Sequence, residues 1–194
     1  MIKLIDSGSG AYITASHIIE LEPSLKNSIE IIKTPCHVGR LNNHSIMQLF
    51  GDIIKEHKIN INKKTNKYQG IYLACNTLNS FFRKYQGAYD LLLKFLNDNK
   101  KDRILIVCTE NTKKQFNKYM SWKYRNVEVM SLDHQIVKEI DSGKLVNIEL
   151  KTDMFKYLIL GCTHYDLINF NTNMEIISTS KMLAEHIIKN ELKE

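Results

Sequence analysis

The stretch that decides the fold is Tyr-Leu-Ile-Leu-Gly-Cys-Thr-His, residues 157–164, where a short apolar run ends in small polar side chains. Such a run is typical of a strand buried on both faces of a parallel sheet. Side chains just past the carboxyl end of that kind of strand lie where open α/β sheets bind ligands. The stretch therefore predicts a parallel α/β fold and a candidate site that contains Cys162, Thr163 and His164.

The same pattern occurs at three other places in the chain. Residues 2–5 run into Asp6-Ser7-Gly8-Ser9-Gly10, residues 70–74 run into Cys75-Asn76-Thr77, and residues 103–107 run into Cys108-Thr109-Glu110-Asn111-Thr112. Further apolar runs lie at 29–33, 127–131 and 175–177, and segments with helical periodicity separate them. Strand–helix alternation favours a mostly parallel α/β sheet. Four polar junctions from two halves of the chain predict two lobes that meet at one site.

Composition and charge narrow the class of function. The chain has 194 residues, 43% of them hydrophobic, and 27 Lys+Arg against 21 Asp+Glu, a net charge of +6. Lysine supplies most of the excess positive charge. This disfavours nucleic-acid binding, because proteins recognise bases mainly through arginine side chains. The positive charge is compatible with an acidic substrate, which it would attract. The start lacks a signal-peptide pattern, no apolar stretch is long enough for a membrane span, and the four cysteines show no CxxC spacing. We expect a cytoplasmic protein with free thiols.

Two of the four cysteines carry the candidate chemistry. Cys75 and Cys162 each follow a predicted strand and precede a predicted helix, whose N-terminal field favours a thiolate. Two thiols that face each other across a substrate carbon can remove a proton on one side and deliver one on the other. That inverts a stereocentre without a cofactor. Cys36 and Cys108 lack this context and are predicted to be small core hydrophobes.

The neighbours of these thiols suggest supporting roles. His164, two residues after Cys162, can polarise the thiol or relay a proton, and Asp6 can orient an ammonium group or assist a thiol. Cys-x-His also occurs in zinc sites, but no second Cys/His pair stands at ligand spacing, so no metal is predicted. The glycine-rich loop at 6–10 lacks both nucleotide-binding patterns. For Thr109 and Thr112, helix capping and substrate binding are equally good interpretations.

Taken in chain order, DSGSG (6–10), ACNT (74–77), T-x-x-T (109–112) and GCTHY (161–165) resemble glutamate racemase, within the aspartate/glutamate racemase superfamily. The resemblance covers most of the chain. It implies two similar parallel-sheet α/β lobes with the active site in the cleft between them, the first formed by residues 1–96 plus 168–194 and the second, shortened, by 97–167. It also implies interconversion of L- and D-glutamate by 1,1-proton transfer without a cofactor, in support of peptidoglycan synthesis and cell-wall biogenesis.

The resemblance carries over to individual positions. Cys75 resembles the thiol that acts on the D-isomer and Cys162 the thiol that acts on the L-isomer, while Asp6 and His164 match the residues that assist them. Gly39 matches the glycine of a substrate-contacting Pro-Tyr-Gly turn, which reads His37-Val38-Gly39 here. The other groups that the resemblance assigns to substrate binding are Ser7, Asn76, Thr77, Thr109, Thr112 and Thr163.

The chain departs from the family pattern in ways that keep alternatives open. The tyrosine of that turn is missing, residues 78–93 are expected to omit a strand, and residues 143–155 are compressed. A second hypothesis is therefore a catalytically weak or inactive binding protein with the racemase fold, and a third is a racemase for aspartate or another amino acid. A decarboxylase or cis–trans isomerase of the superfamily is disfavoured because both cysteines are present. The partner expected in all cases is a small amino-acid substrate, and a homodimer is compatible with the sequence.

Overall fold

A computed structural model describes residues 1–38, 41–57, 59 and 70–192. Its strands are β1 Ile2–Asp6, β2 Ile29–Lys33, β3 Ile71–Leu73, β4 Gln86–Gly87, β5 Ile104–Cys108, β6 Val127–Ser131, β7 Val146–Leu150, β8 Tyr157–Gly161, β9 Ile168–Thr172 and β10 Glu175–Ser178. Its α-helices are α1 Gly10–Leu21, α2 Asn43–Glu56, α3 Asn76–Phe81, α4 Ala88–Asp98, α5 Glu110–Tyr119, α6 His134–Asp141 and α7 Thr179–Glu191, and short 3₁₀ helices cover Pro23–Ser28 and Thr163–Leu167.

Eight of the ten described strands form two parallel sheets, as the apolar runs predict, and the other two strands, β7 and β9, pair separately. The first sheet has the order β2-β1-β3-β4 and the second the order β10-β8-β5-β6. Every pairing within them is parallel. Strands β5 and β8 are buried along their whole length, which accounts for their continuous apolar sequences. The predicted parallel α/β class is confirmed.

Each sheet is covered on both faces. In the first sheet Ile5 packs beneath α2, and on the opposite face Leu4 packs against α1 and α7. In the second sheet Ile106 packs with α4 and α5, while Leu158 packs with α6 and β9. Alternate residues of a strand point to opposite faces, so one strand serves two cores.

Three strands lie outside the sequence prediction. Strand β4 has two residues and pairs with β3, so the expectation that residues 78–93 omit a strand is wrong. Strands β7 and β9 pair with each other in a two-stranded parallel ribbon. Asparagine or glutamate alternates with their apolar residues, which is the pattern of a strand with one exposed face, and they lack the continuous apolar run on which the predicted strands rest; only one face of the ribbon packs on the core.

Two elements pack near the division between the lobes. Strand β10 pairs with β8 in the second sheet. Helix α4 packs against both lobes, with Leu92 and Leu96 against β5 and Ala88 in the first-lobe cluster. Helix α7, which follows β10, packs on α1 of the first lobe. The ranges 1–96 plus 168–194 and 97–167 stay a prediction.

Helix α7 begins directly after β10. Its N-cap is Ser178, whose hydroxyl accepts a hydrogen bond from the Lys181 N–H. Ser180 lies inside the first turn and its hydroxyl donates to Asp166. Among the residues that the structure describes, no helix combines the length and apolar character that a membrane crossing requires.

Candidate active site

The polar residues that follow β1, β3, β5 and β8 meet in one pocket between the two sheets. Its volume is about 20 Å³, which is roughly the room that one water molecule needs. The residues that line it are Ser7, His37, Cys75, Asn76, Thr77, Thr109, His134, Val137, Cys162, Thr163 and His164. Both lobes contribute to this list, so the pocket exists only where the lobes meet.

Cys75 enters the pocket from the first lobe. It directly follows the strand-like run that ends at Ala74 and is the N-cap residue of α3, with 7% of its surface exposed. Its Sγ lies 3.4 Å from Ser7 Oγ. Burial raises the pKa of the Cys75 thiol to about 12, and the Asp6 carboxylate acts in the same direction, whereas the Ser7 hydroxyl opposes it. The resting group is a neutral thiol.

Cys162 enters the same pocket from the second lobe. It follows β8 and precedes the 3₁₀ helix Thr163–Leu167, and it is 8% exposed. Burial raises the pKa of this thiol well above its ordinary value, and the nearby Cys75 adds to the effect. The influence of Cys75 on Cys162 follows because both thiols line the same pocket.

His164 is held in a defined tautomer. The Ser9 N–H donates to His164 Nε2 at 3.1 Å, so that nitrogen is unprotonated. In the neutral ring the proton is then on Nδ1, which lies 3.7 Å from Cys162 Sγ. The imidazole therefore presents a donor to the sulfur, an arrangement that favours the thiolate over the thiol.

Asp6 stands behind the pocket and is fully buried. One carboxylate oxygen accepts the Gly8 N–H at 2.7 Å and the other accepts the Thr163 hydroxyl at 3.3 Å. Burial raises the pKa of Asp6, while the charge of His164 and the Gly8 hydrogen bond act in the opposite direction. Asp6 thus joins the first-lobe glycine loop to the second-lobe residue that follows Cys162.

Three threonine hydroxyls form a triangle across the lobe boundary. Thr77 Oγ1 lies 2.9 Å from Thr109 Oγ1 and 3.0 Å from Thr112 Oγ1, and the last two are 3.0 Å apart. Thr109 is also the N-cap of α5, where its side chain accepts the Thr112 N–H. Thr109 therefore both caps α5 and lines the pocket. Three rotatable O–H donors beside a helix N-terminus suit a carboxylate.

Asn76 holds a buried acceptor that is not satisfied by any described residue. Its Nδ2 donates to Thr179 Oγ1 at 2.9 Å, and Thr179 Oγ1 in turn donates to the Leu160 carbonyl at 2.7 Å. Because the Thr179 hydroxyl already donates its proton to the Leu160 carbonyl, it can only accept from Asn76. The Asn76 side-chain nitrogen must therefore face Thr179. Asn76 Oδ1 is left without a partner among the described residues. An orphaned buried acceptor in a pocket wall is suited to a ligand donor.

The predicted site residues divide into three groups by position. Those that line the pocket are Ser7, Cys75, Asn76, Thr77, Thr109, Cys162, Thr163 and His164. Asp6 and Thr112 stand directly behind them through hydrogen bonds. Gly39 lies outside the described residues.

The two remaining cysteines differ from each other. Cys108 is fully buried in the second-lobe core, as predicted. Cys36 is exposed, so its prediction as a core residue is wrong; it lies in the loop after β2 rather than under a sheet. All four cysteines are unpaired thiols.

Sequence reasoning missed His37, His134 and Val137 as pocket-lining residues. His37 and His164 pack edge to face with ring centroids 5.8 Å apart, and His37 packs in the same way with His134. Asp141 lies beside them at the end of α6, 3.0 Å from His37 Nε2. His37, Asp141 and His164 offer ligand atoms within 4.8 Å of one another, as a metal site requires. The adjacent Cys36-His37 pair was the signal available, but nothing in it indicates Asp141.

The two lobes are closed over the pocket. Ser9 Oγ donates to Asp141 Oδ1 at 2.9 Å, and Asn111 Nδ2 donates to the carbonyls of Val38 and Leu41 at 3.0 and 2.9 Å. The threonine triangle makes a further connection. In this arrangement the pocket has room for about one water molecule.

Comparisons with solved structures identify the fold. Over 99% of this chain and 86% of the other, it superposes on glutamate racemase from Campylobacter jejuni subsp. jejuni with a TM-score of 0.68 and 17% identity. Escherichia coli glutamate racemase, solved in complex with L-glutamate and an activator, gives a TM-score of 0.63 at 14% identity over 95% of this chain and 80% of the other.

A related racemase fold matches over its full length. An aspartate racemase homologue from Pyrococcus horikoshii OT3 gives a TM-score of 0.56 at 12% identity, covering 97% of each chain. No protein-family profile and no curated protein sequence matches this chain. The architecture is that of the glutamate and aspartate racemases.

Proposed function

We propose that this protein is a cofactor-independent amino-acid racemase that interconverts L- and D-glutamate. The observation that carries the proposal is that Cys75 and Cys162, from different lobes, line one enclosed pocket. A pocket with an acid/base group on each side is what inversion of a stereocentre by 1,1-proton transfer needs. The fold match to racemases supports the reaction class.

The walls of the pocket offer complementary groups for an acidic amino acid. The orphaned Asn76 Oδ1 is suited to an α-ammonium group, and the Asp6 carboxylate behind the pocket adds negative charge that favours the same group. The hydroxyls of Thr77 and Thr109 at the start of α5 are suited to a carboxylate. The net charge of +6 favours approach of an anionic substrate. These features motivate glutamate or aspartate over a neutral amino acid.

The proton transfer balances between the two sulfurs. One cysteine, as thiolate, takes the Cα proton and becomes a thiol, while the electron pair of the broken C–H bond delocalises into the substrate carboxylate. The other thiol then delivers its proton to the opposite face of Cα and becomes the thiolate. A substrate ammonium beside the sulfurs stabilises the negative charge that burial alone disfavours. His164 Nδ1–H and Ser7 Oγ–H are placed to support the Cys162 and Cys75 thiolates respectively.

The test is Cα proton exchange in heavy water. Each enantiomer of glutamate and of aspartate is incubated with the protein, deuterium at Cα is followed by NMR, and inversion is followed by circular dichroism. The proposal predicts deuterium incorporation and inversion for both glutamate enantiomers. Absence of exchange from every isomer at high protein concentration would refute it, and exchange of aspartate alone would reassign the substrate.

A matched control distinguishes the two thiols from an ordinary cysteine. Cys108 is as buried as Cys75, and its thiol pKa is likewise raised to about 12, but it does not line the pocket. Cys108→Ser should therefore keep racemisation, whereas Cys75→Ser and Cys162→Ser lose it. If all three variants racemise glutamate at the same rate, Cys75 and Cys162 do not have the acid/base roles proposed for them.

A binding protein with the racemase fold is the second candidate, and the small pocket favours it. A volume of about 20 Å³ requires the lobes to open before any amino acid binds, which slows turnover. A ligand that binds without reacting raises the melting temperature through mass action. Stabilisation by glutamate with no Cα exchange supports this candidate over the first.

A further inference from the structure

A cluster of two imidazoles and one carboxylate lies beside the two cysteines, and only one of its members, His164, enters the proton-transfer chemistry proposed above. His37 comes from the loop after β2 in the first lobe, Asp141 from the end of α6, and His164 from the 3₁₀ helix after β8. The fold thus brings together three residues that are far apart in sequence. This is why sequence spacing could not indicate a metal site.

The distances within the cluster fit a transition-metal ion. His37 Nε2 is 3.0 Å from Asp141 Oδ2, and His164 Nε2 is 3.6 Å from Asp141 Oδ1. Ligands bound tetrahedrally to zinc at roughly 2.0–2.2 Å stand roughly 3.4 Å from each other. The two separations, which involve different oxygens of the same carboxylate, lie on either side of that value. All three ligand atoms lie within 4.8 Å of one another, so a bound ion needs only a small adjustment of these side chains, and His37 is partly exposed.

The chemical states of the ligands are also suitable. His164 Nε2 is already an acceptor, since it takes the Ser9 N–H. A cation at this point takes the place of that N–H on His164 Nε2 and of the direct contact between His37 Nε2 and Asp141 Oδ2. Two imidazoles with one carboxylate suit zinc and similar divalent transition metals, whereas magnesium prefers an all-oxygen site.

We propose that His37, Asp141 and His164 form a site for a zinc-like divalent cation that ties the two lobes together in the closed state. Its ligands come from both lobes, so bound metal holds shut the opening that a ligand must use. It also occupies His164, which contacts Cys162. Metal binding stands independently of the proposed racemase activity; only the expected inhibition rests on that activity.

Zinc binding is measured directly by competition with a chromophoric chelator, using the full chain. The wild type is expected to bind one zinc equivalent, and magnesium in excess is expected not to compete. Asp141→Asn keeps the size of the side chain but removes the anionic ligand. We expect it, and His37→Asn, to weaken zinc binding by about 100-fold or more.

Two control variants test whether zinc binding depends on the three ligands themselves. Glu139→Gln removes the same charge from the same helix without touching those ligands, and Cys36→Ser removes the exposed thiol beside His37. Both should bind zinc as the wild type does. Cobalt substitution adds a spectroscopic readout: visible bands without a sulfur-to-cobalt charge-transfer band indicate nitrogen and oxygen ligands.

The outcomes separate this proposal from the proposed function. Three outcomes overturn the site. The wild type does not bind zinc, or Asp141→Asn and His37→Asn bind it as tightly as the wild type, or Cys36→Ser loses zinc binding. If the wild type racemises glutamate, one zinc equivalent should inhibit it, and full activity with zinc bound at the cluster overturns the locking role. If no enantiomer exchanges at all, the racemase proposal fails while the zinc titration still decides the site.

Discussion

Adding one methyl group at Gly10 tests whether the lobes meet as tightly as the structure shows. Gly10 begins α1 in the first lobe, and a Cβ built there lies 2.7 Å from Thr163 Cβ in the second lobe and 2.7 Å from Asp6 Oδ2, with Thr163 Oγ1 closer still. Real Cβ atoms essentially never approach other heavy atoms within 3.0 Å. Thr163 and Asp6 are both buried, so relief requires the lobes to shift.

The expected size of the effect follows from overpacking. Forcing a methyl group into a packed site costs about 1–3 kcal/mol, which lowers the Tm of a chain of this length by roughly 3–9 °C. Gly51→Ala is the matched control: it adds the same atom within α2, where nothing lies within 4 Å of the new Cβ. There, better helix propensity should stabilise by about 0.5–1 kcal/mol.

Scanning calorimetry or thermal fluorescence compares both variants with the wild type. Gly10→Ala should melt lower and Gly51→Ala should melt slightly higher. In addition, Gly10→Ala should lose racemisation while folded, because the shift separates the pocket walls. A Gly10→Ala protein with wild-type stability and activity would show that the lobes do not contact as described, and the reasoning from the closed pocket would fail.

Three further predictions use other parts of the molecule. Cys75→Ser and Cys162→Ser should each lower racemisation of glutamate by about 10²–10⁴-fold, since a hydroxyl is a far weaker acid/base group than a thiol, with inversion followed by circular dichroism. Thr77→Val should raise KM for glutamate by roughly 10- to 100-fold with a smaller change in kcat, because it removes a hydrogen bond to a charged carboxylate; a steady-state series in which only kcat falls contradicts that role. The pKa of His17 is raised above 6.5, chiefly by its hydrogen bond with Asp166, so this contact stabilises the fold fully below pH 6.5 and is lost as pH rises through the folded-state pKa. In urea unfolding across this range, the stability advantage of the wild type over His17→Gln should shrink as pH rises. A difference that stays constant with pH contradicts this linkage.

Sequence patterns predicted the elements whose residues are buried on both faces. The apolar runs of β5 and β8 contain no polar residue, so each is recognisable as a buried strand from sequence alone. The polar residues that follow them lie together because the carboxyl ends of parallel strands meet at the same edge of a sheet. The ribbon of β7 and β9 was missed because its apolar residues alternate with polar ones and form no continuous apolar run. Local periodicity also does not show that these two strands pair with each other.

The candidate site was predictable to the same extent. Cys75 and Cys162 stand at strand ends that a local pattern marks, and the structure places both in one pocket. Asp141 could not be identified, because it is an ordinary acidic residue at a helix end until tertiary packing brings His37 and His164 to it. Strand β10 and helix α7 show the same limit of local patterns, since they are adjacent in sequence but pack in different lobes.

The position of α7 has a consequence for synthesis on the ribosome. The apolar cluster that holds Ile2, Leu4 and Ile18 is completed by Leu183 and Ile187 of this helix. More than 100 residues separate β3 from α7, so at about 5–20 residues per second the nascent first lobe waits on the order of 5–20 seconds for its last helix. During that interval this face of the sheet has α1 but lacks α7, so part of its apolar surface is exposed, and exposed apolar surface of this kind is what chaperones bind.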